Sequence, residues 1–179
     1  RGNVIRVKLN KGLNLILAPE YGGNILFYEK GNVIPKKYHL LLSFTDETAL
    51  TVTLTSMGII KAITNEELQH SYVYRRDFSA TTYPLEDDFT FERFSRELTG
   101  KGINIKAALV GKDAVVVGLG NTAFQDILYH AQIHPKRKAS ELDRTEQHAL
   151  FDSIRYVVEQ RIKFGGKNQF VDFYGKRGG

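Results

Sequence analysis

The sequence predicts an α+β fold in which an antiparallel β-sandwich layer is followed by a helical module. In the first half of the 179-residue chain, apolar and polar residues alternate over several short stretches separated by turn-forming residues. From about residue 87 the apolar residues recur every three to four positions, which is the period of an amphipathic helix. This change predicts a β layer over residues 1–84 and a helical domain over residues 85–179.

Short strands account for the first part. The predicted strands cover residues 4–10, 13–17, 24–28, 38–44 and 50–55. Turn signals connect them at Asn10-Lys11-Gly12, at Gly22-Gly23 and at Asp46-Glu47. The last two stretches alternate so that one face is apolar, which predicts a hairpin with one buried face. Several short strands at this spacing indicate a sandwich or barrel-like layer.

Helices account for the second part. The first is predicted to begin near Asp87-Asp88, a second covers 103–110, and a third runs from about 123 to 131. The fourth begins at a capping-box pattern, Asp143-Arg144-Thr145-Glu146, and ends at Gly165-Gly166. Its predicted buried stripe consists of Leu150, Phe151, Ile154, Val157, Val158 and Ile162.

The composition is that of a globular intracellular protein. Apolar residues make up 42% of the chain and charged residues 25%. There is no run of roughly 20 apolar residues and no apolar signal core at the N-terminus, so we expect no membrane partner. Cysteine is absent, which excludes disulfides and thiolate metal sites in these residues. Because the chain starts at Arg1 and stops at Gly178-Gly179, we expect an internal piece of a longer protein.

The net charge of +5 lies in the C-terminal part of the chain. Residues 1–100 contain twelve basic and twelve acidic side chains, whereas residues 101–179 contain thirteen basic and eight acidic ones, and 13 − 8 = +5. A positive field confined to one region favours a polyanion partner, because Lys and Arg gain affinity by displacing counterions from phosphates. Charge alone leaves open a solvated basic surface without a ligand.

A glycine-containing turn before the third predicted helix is the segment most informative about function. Gly118 and Gly120 allow the backbone to approach a ligand closely and to adopt positive φ. Asn121 then begins a helix whose free N–H groups and positive dipole end favour an anion such as phosphate. Lys106 and the run Lys136-Arg137-Lys138 would flank the same face if the helices pack against one another.

The order of these motifs resembles the helix-two-turns-helix module of the formamidopyrimidine-DNA glycosylase and endonuclease VIII family. The resemblance is carried by the run Ile105 to Leu109, the turn Val117 to Asn121, the helix Thr122 to Gln132, Ile133-His134-Pro135 and Gly165-Gly166. It covers about residues 87–179 well and the β layer loosely. The resemblance implies a monomeric, cytoplasmic, nucleoid-associated DNA-repair protein that binds double-stranded DNA with a damaged base or abasic site. It assigns Asn121 and Lys106 to the phosphates around the lesion.

The resemblance also implies a reaction for the intact parent, which would be a DNA glycosylase and AP lyase of base-excision repair, and hence a hydrolase. The damaged nucleotide is flipped out, an N-terminal proline amine forms a Schiff base with the sugar, and β-elimination nicks the strand. The family's Pro-Glu start and four-cysteine zinc finger are expected upstream of residue 1 and past residue 179. We therefore assign no catalytic residue, metal or cofactor to these residues, expect zinc only in the parent's finger, and expect this piece to bind without cutting.

Two departures from the family pattern concern catalysis and lesion recognition. Asn3 stands where the family's Arg-Gly-Lys motif has an active-site lysine, and the stretch Thr55 to Gly58 lacks the arginine of the family's wedge loop. Tyr21 and Met57 are candidate wedge residues, since an aromatic or apolar side chain can fill the gap left by a flipped base. A place in the core is the alternative for each of them.

Several alternatives follow from the same residues. A non-catalytic DNA-binding protein derived from this family is the second hypothesis, and a Pro-Glu start in the parent would favour the enzyme. A related module occurs in an RNA-binding ribosomal protein, but the β layer argues against it. Glu66-Glu67 and Asp87-Asp88 could serve acid–base chemistry, yet both fall at predicted helix starts, where carboxylates favour the dipole. His134 is predicted to be structural, as a cap or as a buried hydrogen-bonding group, because no metal-ligand partners accompany it.

Overall fold

The structure is a computed structural model that describes residues 4–20, 22–55, 57–71, 74–75, 78, 82–111 and 114–178. The chain forms two compact units. The β unit comprises Asn3–Ser71 together with Lys163–Gly179, and the helical unit comprises Tyr72–Ile162. The predicted α+β class, with antiparallel strands preceding helices, is confirmed.

The described part of the β unit contains two three-stranded antiparallel sheets. The strands are β1 (Ile5–Lys8), β2 (Leu13–Ala18), β3 (Asn24–Tyr28), β4 (Leu40–Ser43), β5 (Ala49–Thr53) and β6 (Ile59–Thr64). One sheet has the order β1-β2-β6 and the other β3-β5-β4. Leu15 and Leu17 of β2 pack with Val52 of β5 in the core, so the two sheets face one another as a sandwich.

Strand β6 was not predicted from the sequence, whereas the short helix α1 (Asn65–His70) that follows it was expected only as a helix start at Glu66-Glu67. Strand β6 pairs with β2, which is distant in the chain, and its own residues alternate poorly. At the start of α1, the Glu67 N–H donates to Thr64 Oγ1 at 3.1 Å and the Thr64 N–H donates to Glu67 Oε2 at 2.8 Å. Hydrogen bonding of the Glu67 carboxyl with the backbone N–H and then the side chain of Thr64 lowers the pKa of this carboxyl. The prediction that Glu66-Glu67 begins a helix is confirmed.

The helical unit is built around one apolar core. Its helices are α2 (Phe91–Thr99), α3 (Ile105–Val110), α4 (Asn121–Ala131) and α5 (Arg144–Lys163), the last of which extends one residue beyond the unit. The largest fully buried side chains of this core include Phe89, Phe94, Leu98, Ile105, Leu109, Ile127, Leu150 and Ile154. Within each helix these buried residues recur every three to four positions, which is why the apolar pattern of the sequence predicts the helices.

Two details of the helices differ from prediction. Helix α2 begins at Phe91, not near Asp87-Asp88, and its N-cap is Thr90, whose Oγ1 accepts the Arg93 N–H at 3.3 Å. Asp88 instead forms an ion pair of 2.7 Å with Arg93. Ile162 was expected in the buried stripe of the long helix but is 58% exposed. The last turn of α5 extends past the packed helical core, whose final member on this helix is Val157.

The ends of α5 agree with the predicted signals. The Glu146 N–H donates to Asp143 Oδ1 at 2.8 Å, and the Asp143 N–H donates to Glu146 Oε2 at 3.0 Å, which completes a reciprocal capping box. After the helix, Gly165 and Gly166 have φ of 69° and 83°, a conformation that favours glycine. Among the helices of the described ranges, none is long and apolar enough to cross a membrane.

The segment after α5 groups with the β unit, whereas the sequence-based division placed it in the helical domain. The Phe27 N–H of β3 donates to the Phe173 carbonyl at 2.9 Å, and the two rings stack with centroids 5.5 Å apart. These contacts join residues almost 150 positions apart, so local periodicity carries no sign of them.

Candidate nucleic-acid interface

The N-terminus of helix α4 is open. Its N-cap is Gly120, with φ −95° and ψ 170°, and no side chain caps the first turn. A Cβ added at Gly120 would have no described atom within 4 Å. The first N–H groups of a helix have no intrahelical acceptor. Because Asn121 and Thr122 are exposed and no acidic residue lies in this turn, the end of α4 is free to receive an anion.

The two glycines of the preceding turn serve different purposes. Gly118 has φ 86°, a left-handed conformation that strains any side-chain-bearing residue. Gly120 has an ordinary φ, so it is not required for backbone conformation as the sequence analysis suggested for both. Because glycine has no side chain, Gly120 leaves open space in front of the first turn of α4.

Helix α3 presents Lys106 to solvent. Asn104 caps this helix through its Oδ1, which accepts the Ala107 N–H at 2.8 Å. Ile105, Ala108 and Leu109 are buried, whereas Lys106 is exposed. This cap was not predicted, although asparagine before an apolar helical stretch is a typical cap signal.

Backbone hydrogen bonds hold the glycine turn near α3 and the rest of the helical unit. The Val115 N–H donates to the Ala108 carbonyl of α3 at 2.8 Å. The Val117 N–H, one residue before Gly118, donates to the Thr82 carbonyl at 3.0 Å. The segment leading into the turn is therefore fixed on two sides, which limits where α4 can begin.

The basic run lies alongside the start of α3. The Ile105 N–H donates to the Arg137 carbonyl at 2.9 Å, and the Ala139 N–H donates to the Ile103 carbonyl at 2.8 Å. Asn104 and Lys138 pair as an antiparallel bridge between these bonds. The structure thus brings the backbone of the basic run to the helix that carries Lys106.

The three cations of the run differ in their surroundings. Lys136 and Lys138 are exposed, and the Lys138 Nζ lies 3.7 Å from Glu141 Oε1. The guanidinium of Arg137 donates instead to both carboxylate oxygens of Glu146, at 2.8 and 3.1 Å. Hydrogen bonding with Glu146 raises the pKa of Arg137, and the same pair lowers the pKa of Glu146. The basic run thus contains two exposed lysines, of which Lys138 lies near a carboxylate, and one arginine that is held by hydrogen bonds to Glu146.

The turn after α4 is closed by His134, as predicted. Its Nδ1 accepts the Lys136 N–H at 3.3 Å, and its carbonyl accepts the Arg137 N–H at 3.0 Å. Gln132 ends α4 in a left-handed conformation with φ 56°. That conformation was not predictable, because it is uncommon for a residue other than glycine or asparagine. In the described ranges, no three His, Cys, Asp or Glu side chains are grouped to hold a metal ion.

Of the wedge candidates, Met57 is described, whereas Tyr21 and the departure at Asn3 lie outside the described residues. Met57 is 76% exposed in the turn between β5 and β6, which excludes a core position for its side chain. A Cβ at Gly58 would come within 3.1 Å of the Pro19 carbonyl oxygen, and one at Gly23 would collide with that same oxygen. The turn carrying Met57 therefore packs closely on the β2–β3 turn.

Sequence comparison identifies relatives of the chain. Residues 81–171 match the family described as the formamidopyrimidine-DNA glycosylase H2TH domain. The formamidopyrimidine-DNA glycosylase of Lactococcus lactis subsp. lactis is 30% identical over 138 residues, which are 76% of this chain and 49% of that protein. That of Roseiflexus sp. is 39% identical over 97 residues, 53% of this chain and 35% of that protein. That of Desulfitobacterium hafniense is 26% identical over 181 residues, 99% of this chain and 64% of that protein. The chain thus spans less than two thirds of these relatives.

Solved structures share the fold. A complex of the Lactococcus lactis Fpg with DNA containing an abasic site has a TM-score of 0.81 and 23% identity, covering 100% of this chain and 65% of that one. A complex of MutM with DNA containing carbocyclic 8-oxo-G has a TM-score of 0.76 and 24% identity, covering 93% and 62%. Because the family match spans half of the chain and the fold agrees, the chain belongs to the formamidopyrimidine-DNA glycosylase family that contains the H2TH domain.

Proposed function

We propose that this chain is the damaged-DNA-binding core of a base-excision repair DNA glycosylase with abasic-site lyase activity. The observation that carries the proposal is the open N-terminus of α4 at Gly120 and Asn121, within a domain of this family. The Fpg and MutM structures that share this fold were solved with DNA containing an abasic site or a damaged base, which agrees with such a role.

The binding step of the proposal uses three kinds of group. The N–H groups and dipole end of α4 would receive one phosphate of the damaged strand, with the exposed amide of Asn121 as a further donor. Lys106 would add a positive charge from α3, while Lys136 and Lys138 would neutralise neighbouring phosphates. Such contacts set the register of the protein on the duplex and carry no base specificity.

The chemical step would be performed by groups of the intact parent outside these residues. We propose a proline amine of the parent as the nucleophile and a glutamate of the parent as the group that transfers protons. These 179 residues contain no cysteine, so a cysteine zinc finger would also have to lie outside them. Acting on chromosomal DNA, such a protein would work as a monomer on the nucleoid in the cytoplasm. Sodium borohydride trapping of the parent on an abasic-site oligonucleotide tests the reaction, because only a Schiff base is reduced to a stable adduct.

A non-catalytic DNA-binding protein is the second candidate, favoured by Asn3 and by the absence of arginine from Thr55 to Gly58. The same trapping experiment separates the two candidates. A parent that binds the abasic duplex without giving an adduct would support the binding protein and overturn the lyase.

Salt dependence tests the polyanion partner. If Lys106, Lys136 and Lys138 each neutralise one phosphate, the affinity for an abasic-site duplex falls with a log–log salt slope of about −3 or steeper. Fluorescence anisotropy titrations between about 50 and 200 mM salt measure this slope. A flat plot would mean that the basic surface does not bind DNA.

Met57 tests the proposed wedge. Its exposed thioether side chain would fill the gap left by the flipped nucleotide, with Tyr21 as a second wedge candidate. Met57→Ala is expected to weaken binding to the abasic duplex about fivefold, because roughly 1 kcal/mol of apolar burial is lost. Met57→Leu, which keeps the apolar volume, serves as the control and should bind like the parent sequence. Equal affinity of all three proteins would remove Met57 from the interface.

A further inference from the structure

The side chain of Arg137, unlike those of Lys136 and Lys138, makes a two-point hydrogen-bonded contact with the start of helix α5. Its Nη1 and Nη2 donate to the two carboxylate oxygens of Glu146 at 2.8 and 3.1 Å, and Nη2 also donates to the Glu141 carbonyl at 2.9 Å. This two-point contact with a carboxylate is specific to arginine, because a lysine ammonium cannot reproduce the planar fork.

The acceptor of the fork is itself held in place. Glu146 Oε2 also accepts the Asp143 N–H at 3.0 Å, and the Glu146 N–H donates to Asp143 Oδ1. One carboxylate therefore both caps helix α5 and binds the guanidinium. The side chains of Arg137 and Glu146 are 37% and 31% exposed, so the pair is partly shielded from solvent.

The backbone of the same arginine sets the position of the basic run. Its carbonyl accepts the Ile105 N–H of α3, and two residues later the Ala139 N–H donates to the Ile103 carbonyl. Arg137 therefore links two helix starts. Its guanidinium binds Glu146 at the start of α5, and its backbone carbonyl binds Ile105 at the start of α3. Loss of the fork would free the run at one end while its lysines keep their charge.

We infer that Arg137 is a positioning residue, which holds Lys136 and Lys138 beside Lys106 without itself binding phosphate. The inference rests on the proposed DNA-binding function and deepens it. Three of the five N–H groups of the guanidinium already bind Glu146 and the Glu141 carbonyl, and the Glu146 carboxylate balances its charge, so Arg137 offers a phosphate less than the exposed lysines do. Arginine at this position is thus required for its geometry, whereas the charges that meet DNA belong to the neighbouring lysines.

Four variants of the full chain test this role on an abasic-site duplex. Arg137→Lys, Arg137→Met and Glu146→Gln are each expected to weaken binding about fivefold to tenfold, because each removes the fork. Arg137→Met combined with Glu146→Gln should bind no more weakly than either single variant, since the fork is lost only once. The salt slope should match that of the parent sequence in all four. Glutamine is accepted in a capping box, so Glu146→Gln keeps the cap.

Direct phosphate binding by Arg137 gives a different pattern. Arg137→Lys would then keep most of the affinity, Arg137→Met would reduce the salt slope by about one, and Glu146→Gln would tighten binding by removing a negative charge. Any of these results overturns the positioning role.

Amide hydrogen exchange without DNA separates this inference from the proposed function. If Arg137 holds the run, the Ile105 and Ala139 amides exchange faster in Arg137→Met and in Glu146→Gln than in the parent sequence. Unchanged protection of both amides overturns the inference, even in a protein that binds DNA. A parent sequence without affinity for the duplex overturns the proposed function, while the exchange rates still decide whether the fork holds the run.

Discussion

Replacing Asn121 by alanine is expected to weaken binding to an abasic-site duplex by about 1 to 3 kcal/mol, the cost of losing a charge-assisted hydrogen bond. The exposed amide of Asn121 lies at the open end of α4, where Gly120 provides no side-chain cap. Alanine is a good helix former, so the fold should be unaffected. Titration by fluorescence anisotropy measures the loss. Equal affinity of the variant and the parent sequence would remove Asn121 from the interface.

Two further substitutions on α4 make this test specific. Gln125→Ala removes an exposed amide one turn further along the same helix and should leave the affinity unchanged. Asn121→Asp should act in opposite directions on stability and on binding. A carboxylate in the first turn stabilises a helix by about 0.3 to 1 kcal/mol, but it would repel a phosphate at the same place. Tighter DNA binding by Asn121→Asp would contradict the phosphate site.

Much of this arrangement was predictable because its signals are local. The glycine turn before Asn121, the capping box at Asp143 and Glu146, and the glycine stop after α5 each depend on residues within a few positions. Strand β3 was predicted with its observed bounds, since a glycine turn precedes it and its residues favour strands. Local chemistry decides these features, so one sequence suffices to find them.

What escaped prediction depends on pairing between distant residues. Strand β6 is defined by its register with β2, in which Asn14 lies opposite Ile63. The engagement of Arg137 depends on Glu146, which reaches it only after the chain has turned into α5. In a sequence, Lys136, Arg137 and Lys138 are three equivalent cations. Their separation into exposed lysines and a bonded arginine is a property of the fold.

The largest effect on stability is expected at Phe151, a buried residue of α5. Its ring stacks on Phe89 with centroids 4.8 Å apart and contacts the rings of Phe91 and Phe94 at 5.9 and 5.8 Å. Phe151→Ala should lower the free energy of unfolding by about 3 to 5 kcal/mol, because it removes the ring and leaves a cavity. Chemical denaturation followed by circular dichroism measures the change. A loss below about 1 kcal/mol would mean that these contacts do not support the helical unit.

Tyr156 provides the matched control, since it is an aromatic residue of the same helix that is 49% exposed. Tyr156→Ala should change stability much less, because little burial is lost.

Phe151→Ala and Asn121→Ala together separate support of the fold from binding to DNA. At temperatures where Phe151→Ala remains folded, its affinity for the abasic duplex should equal that of the parent sequence, because α4 and its open N-terminus are intact. Asn121→Ala should show the reverse, with weakened binding and unchanged unfolding. If Phe151→Ala lost affinity while fully folded, core packing itself would set the position of the phosphate site.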